Sequence, residues 1–184
     1  MVHHPGRGPG TMPSRVRREF TTYETSPQRM IKLPASSDWN DILAQARALL
    51  AGEADAVANA ANLSALLFNT LPDVNWAGFY FLKDGGLVVG PFQGKPACVR
   101  IPLGQGVCGT AALRRETIVV EDVHAFPGHI ACDAASNSEI VIPLIRNQEV
   151  LGVLDIDSPR LARFAEGDRQ GLEAIAALYV AAIA

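Results

Sequence analysis

The sequence predicts an α+β fold in which a central, mostly antiparallel sheet is covered by helices from the N- and C-terminal ends. Three observations carry that expectation. Near both ends, apolar residues recur at spacings of three and four. Between those ends the pattern changes to short β-branched and aromatic runs. Two tight turns, Asp84-Gly85-Gly86 and Arg146-Asn147-Gln148-Glu149, join neighbouring runs as hairpins, whose strands must be antiparallel. Helices flanking hairpin-joined strands describe a sheet with its helices packed against it.

The elements follow in order. Residues 1–33 are rich in Gly, Pro, Arg and Ser and read as a flexible tail, with Met12 as an alternative start. A single domain is expected over 34–184. Ser36-Ser37-Asp38 offers side-chain caps for a first helix, whose face carries Trp39, Ile42, Leu43, Ala46, Leu49 and Leu50. After Gly52 a second helix carries Val57, Ala60, Leu63, Leu66 and Leu67, and Pro72 ends it. Trp76 to Leu82 reads as a strand that turns into Leu87-Val88-Val89. Val99 to Leu103 is a further short strand, and Val107 to Leu113 a short helix among Gly104, Gly106 and Gly109. Thr117 to Val120 is another strand. A long loop over 121–137 then leads to strands at Ile140 to Ile145 and Val150 to Ile156. The last helix presents Leu172, Ile175, Ala176, Tyr179 and Ile183. No internal repeat is present.

Composition narrows the function. A hydrophobic content of 48% with 19% charged residues describes a folded globular chain. The net charge of −3 leaves no basic footprint for nucleic acid. No apolar run approaches the ~20 residues that cross a bilayer, and the start lacks the apolar core of a signal peptide. A soluble cytoplasmic protein is expected. Three cysteines, without a Cys-x-x-Cys pair or a common zinc spacing, argue against structural zinc; no metal is expected.

The chemistry concentrates between residues 97 and 158. All three cysteines lie there, with Glu139, Asp155 and Asp157 in or beside apolar strand patterns. Cys132 sits on the long loop, where a thiol can reach a substrate and later a partner; long loops in compact domains are usually functional or disordered. Cys108, at the start of the short helix, has two readings. The helix N-terminus could lower its pKa and make it a rival or additional reactive thiol, or its small neighbours could bury it. Asp155 and Asp157 are two apart, so on a strand both face one way while Leu154 and Ile156 face the other. Like charges held close raise the pKa of at least one member, so one carboxyl can stay protonated and donate a hydrogen bond. Trp76 and Tyr80, four apart on a strand, share a face as a pocket wall or as core. Backbone N–H groups near Ile130, Ala131 and Ser136-Asn137-Ser138 could bind a carboxylate. His124 and His129 read as pocket or loop-ordering residues, with no acid or base role assigned to either.

The segments Asn75-Trp76-Ala77-Gly78-Phe79-Tyr80, Gly90 to Cys98, Gly106-Val107-Cys108-Gly109, Phe126 to Cys132, Ser136 to Val141 and Leu154-Asp155-Ile156-Asp157-Ser158 together resemble the free methionine-(R)-sulfoxide reductases, enzymes built from a single GAF domain. The resemblance covers about residues 38 to 183. It implies a GAF-type fold and reduction of free L-methionine-(R)-sulfoxide by thiols. It further implies Cys132 as the attacking thiol and Cys98 as the resolving one, meeting in a disulfide. Glu139 and Asp157 would act at the sulfoxide oxygen, with Asp155 at the substrate amine. Trp76, Tyr80, Ile130 and Ala131 would contact substrate. No bound cofactor is implied; NADPH-coupled thioredoxin would serve as external reductant, and a homodimer is the implied assembly. The other class that the residues allow is a small-molecule or redox sensor without turnover.

Overall fold

The computed structural model describes residues 38–128 and 134–183. The expected tail over 1–33 and the loop residues Ile130, Ala131 and Cys132 lie outside them.

Two helices open the described chain, α1 (Trp39–Leu50) and α2 (Ala56–Thr70). Each begins where an aspartate satisfies helix N–H groups that have no partner within the helix. Asp38 accepts from the Asn40 amide at 2.9 Å, and Asp55 from those of Val57 and Ala58 at 2.9 and 2.8 Å. Strands β1 (Trp76–Lys83), β2 (Gly86–Gly94) and β3 (Arg100–Pro102) follow, then helix α3 (Gly106–Arg114) and strand β4 (Ile118–Val120). A single 3₁₀ turn spans Val123–Ala125 within the long loop. Strands β5 (Ser138–Arg146) and β6 (Glu149–Ser158) and helix α4 (Glu166–Ala182) complete the element order.

The six strands form one sheet in the order β3-β2-β1-β6-β5-β4, and every adjacent pair is antiparallel. Both expected hairpins are present. Their turns use left-handed residues, Asp84 and Gly85 in one and Asn147 and Gln148 in the other.

Strand alternation gives the sheet two apolar faces. On one, Ala77, Phe79, Ile140, Ile142, Leu144, Leu154 and Ile156 pack under α1, α2 and α4. A Cβ on Gly171 of α4 would run into the Trp39 indole, so glycine there lets α1 and α4 approach closely. On the other face, Tyr80, Leu87, Val141 and Val153 pack with Val107, Ala111 and Ala112 of α3. The sheet is thus covered on its second face by an internal helix, beyond the terminal helices that the patterning singled out.

Strand β2 runs five residues past the expected end at Val89, because a bulge absorbs Gly90 and Pro91. Gly78 pairs with Phe92 and Tyr80 with Val89, leaving two residues of β2 opposite Phe79 alone. A bulge tolerates proline, which has no N–H for the ladder. The Ser64 hydroxyl of α2 donates to the Pro91 carbonyl at 3.1 Å and ties the bulge to the helix layer. This extension brings Phe92, Lys95 and Cys98 to the second face.

Candidate active site

The α3-facing side of the sheet carries a row of functional side chains set by register. On β6, alternation turns Val153, Asp155 and Asp157 towards α3 while Leu154 and Ile156 enter the helix-covered core. Asp157 stands opposite Trp76 of β1 on one side and Glu139 of β5 on the other. One step along, Asp155 stands opposite Gly78 and Val141. The missing side chain at Gly78 leaves room for the neighbouring aromatics: a Cβ there would lie 2.6 Å from the Trp76 ring.

Those aromatics form a stack. Tyr80 and Trp76 have ring centroids 5.8 Å apart, and Trp76 and Phe92 have theirs 5.2 Å apart at an interplanar angle of 16°. The Trp76 indole N–H donates to the Lys95 carbonyl at 3.1 Å, and the Tyr80 hydroxyl donates to the Cys98 carbonyl at 3.2 Å.

Trp76, Tyr80, Glu139, Asp155, Asp157 and Cys108 line one pocket with Lys95, Pro96, Ala97, Ile101, Gly106, Val107 and Ser136. The space between these residues, open mouth included, is about 530 Å³. Its floor is acidic and buried. Glu139 and Asp155 are each 6% exposed and Cys108 is 3% exposed. Burial, then the charges of Asp155 and Asp157, hold the Glu139 carboxyl well above the usual carboxylate range. Burial also pushes Asp155 up to about 7, against hydrogen bonds from Cys108 and Glu139 that favour its ionised form. At neutral pH the Glu139–Asp155 pair therefore retains a proton. Asp155 Oδ1 is buried and has no hydrogen-bond partner among the described residues, an acceptor waiting for a donor.

Cys108 is placed by α3 with its thiol donating to Glu139 Oε1 at 3.8 Å. Burial raises its pKa well above the ordinary value, and the charges of Asp155 and Glu139 add to the rise. The positive end of α3, weighed from the sequence as a force lowering that pKa, is outweighed by burial and by two adjacent carboxyls. Cys108 is a free thiol. Cys98 is half-buried, packs beside the aromatic stack and is disulfide-bonded. The ligand atoms of Cys108, Glu139 and Asp155 lie within 4.8 Å of one another, so this trio could hold a cation, in exchange for the protons that burial keeps on it.

Of the residues expected to act together, Trp76, Tyr80, Cys108, Glu139, Asp155 and Asp157 meet in this pocket, and Cys98 borders it through its backbone. His124 does not line it. Its ring pairs instead with the Asn137 side chain at 3.1 Å, at the base of the long loop. Asn137 also donates from its backbone to the Ser158 carbonyl and from its side chain to Pro159, securing the end of that loop to β6. Cys132, Ile130 and Ala131 lie outside the described residues. Phe92 and Lys95 received no role from the sequence, because the bulge that brings β2 and its following segment to the site breaks the strand pattern at Gly90-Pro91; Ile101 reads from the sequence only as part of a short strand.

The GAF-domain family profile matches residues 58–184. The free methionine-R-sulfoxide reductase of Escherichia coli is 61% identical over 130 residues, which cover 71% of this chain and 79% of that protein. This chain belongs to the free methionine-R-sulfoxide reductase family. Solved family structures agree in fold. The free methionine-R-sulfoxide reductase of Neisseria meningitidis in complex with its substrate is 43% identical, with a TM-score of 0.78 over 80% of this chain and 92% of that one. The Staphylococcus aureus fRMsr in complex with substrate is 48% identical, with a TM-score of 0.77 over 80% and 96% of the two chains. Among the described residues, no helix is long and apolar enough to cross a membrane.

Proposed function

We propose that this protein reduces free L-methionine-(R)-sulfoxide to L-methionine with a thiol pair. The observation that carries the reading is the register pairing of Glu139 with Asp157 on a buried floor beside the Trp76–Tyr80 stack, where a carboxyl keeps its proton at neutral pH. A sulfoxide needs such a donor at its oxygen as a thiolate attacks its sulfur, because the S–O bond must break with that oxygen stabilised. The stacked rings supply an apolar wall for the S-methyl group. The buried, unpartnered Oδ1 of Asp155 suits the substrate ammonium, whose arrival favours the ionised form of Asp155.

Cys132 is the attacking thiol in this reading. Its sulfur takes the sulfoxide oxygen and becomes a sulfenic acid, releasing methionine. The Cys98 thiol then displaces that oxygen, forming a disulfide and one water. A dithiol protein of the thioredoxin class, recharged through NADPH, returns both cysteines to thiols by exchange. The disulfide-bonded state of Cys98, beside a Cys108 that remains free, supports Cys98 as the resolving partner. No bound cofactor or metal enters these steps. A reductant of the thioredoxin class fits a cytoplasmic activity, and a homodimer is the assembly that the resemblance implies.

The test is reductant consumption in a coupled assay with thioredoxin, thioredoxin reductase and NADPH. Free (R)-sulfoxide, free (S)-sulfoxide and peptide-bound sulfoxide are supplied separately. Turnover confined to the free (R) form, and lost in Cys132→Ser, is the expected result. Turnover surviving in Cys132→Ser would overturn the thiol assignment. Binding without turnover would point to a sensor.

A further inference from the structure

The segment between β2 and β3, residues 95–99, carries Cys98 and lies outside the strand ladders. It leaves the sheet at Gly94, whose φ of +124° favours glycine and whose close approach leaves no room for a Cβ: one would lie 2.7 Å from the Asn75 carbonyl. Beyond that turn, both pocket aromatics of β1 reach across to it. Trp76 donates to the carbonyl of Lys95, and Tyr80 to the carbonyl of Cys98 itself. Tyr80 is 2% exposed and its ring is stacked on Trp76, so its hydroxyl sits on a rigid stem. The Val99 side chain is 64% exposed, and the segment rejoins β2 there through its backbone alone, the Val99 carbonyl accepting from the Val89 amide at 3.0 Å.

We propose that Tyr80 is a positioning residue for disulfide formation, its hydroxyl tethering the Cys98 backbone so that the resolving thiol is held where the sulfenic acid forms. The inference rests on the reading of Cys98 as the resolving cysteine. In the step concerned, the Cys98 thiolate attacks the sulfenic sulfur of Cys132, an S–S bond forms, the S–O bond breaks, and the departing hydroxide takes up the thiol proton as water. No external oxidant is needed. The rate depends on how much of the time the two sulfurs stand in line. Held at the Lys95 and Cys98 carbonyls between its backbone attachments at Gly94 and Val99, the segment samples fewer competing positions than one held at its ends alone. Burial and the nearby carboxylates keep the Tyr80 phenol protonated and therefore a donor throughout the cycle. The aromatic pair would thus have two separable functions, a ring wall for the substrate and a polar tether for the thiol.

Tyr80→Phe separates them, because it retains the ring and removes only the hydroxyl. The experiment is a single turnover with stoichiometric free (R)-sulfoxide and no reductant, run on wild type, Tyr80→Phe and Cys98→Ser. Methionine release reports the first step; trapped sulfenic acid and residual thiols report the second. Losing one hydrogen bond is expected to slow disulfide formation about five- to tenfold more than it slows methionine release in the same variant, with trappable sulfenic acid accumulating. Equal slowing of both steps would overturn the tether, since a general loosening of the pocket acts on both alike. So would an unchanged disulfide rate in Tyr80→Phe when Cys98→Ser stops at the sulfenic acid. If Cys98→Ser still forms an intramolecular disulfide, the resolving assignment itself fails and the tether with it.

Discussion

Glu139 and Asp157 face each other as directly paired residues across the β5–β6 ladder, at the floor of a pocket beside the Trp76–Tyr80 stack. Burial, with Asp155 one step along and Asp157 across the ladder, raises the cost of an anion at Glu139, which therefore keeps its proton. That arrangement accounts for an acidic site able to donate a hydrogen bond at neutral pH.

Glu139→Gln should preserve the shape of the floor and remove the transferable proton. The expected loss in kcat is about 10²- to 10⁴-fold, the usual worth of a positioned acid, with a much smaller change in KM. Steady-state kinetics on free (R)-sulfoxide would measure it. Undiminished kcat would remove Glu139 from the chemistry.

Cys108→Ala should retain turnover, because a thiol kept protonated by burial and two carboxyls is a poor nucleophile. In the native protein Cys108 should also resist alkylation, and react promptly once denatured. Mass spectrometry of alkylated peptides reads both states. Fast native labelling of Cys108 would contradict the burial that α3 imposes.

Stability should depend on pH through the pocket floor. Asp155 has an ordinary pKa of 3.8 and about 7 in the fold, so the native protein holds a proton that the unfolded chain has released. The native state then binds more protons, and stability falls as pH rises from about 4 to about 7. Raised Glu139 acts in the same direction. Asp155→Asn should flatten this fall in thermal melts across that window; an unchanged slope would mean that Asp155 titrates normally.

Gly78→Ala should damage the site from beneath. Its new methyl would collide with Phe92 and with the Trp76 ring, and overpacking of this kind costs about 1–3 kcal/mol. Denaturant midpoints and tryptophan fluorescence together test it, since a shifted Trp76 changes emission even where the fold survives.

Much of this was legible in the chain. Two-residue spacing alone put Asp155 and Asp157 on one face and Leu154 with Ile156 on the other, because a strand allows no other outcome once one face is buried. The hairpins were equally direct, since Asp84-Gly85 suits the left-handed turn that joins β1 to β2. The break at Gly90-Pro91 hid the rest of β2. A bulge is a property of two paired strands, and one strand read alone does not contain it.

By itself the sequence determined the order of elements, the faces of β1 and β6, and the concentration of thiols and carboxyls between residues 97 and 158. Only the tertiary structure decided which of those groups meet. Register placed Asp157 between Trp76 and Glu139, strands far apart in the chain. The packing of α3 on the second face then turned Cys108 from a candidate for activation into a buried, protonated thiol. Local pattern fixes which way a side chain points; desolvation and charge depend on the neighbours that folding brings, and those set the chemistry.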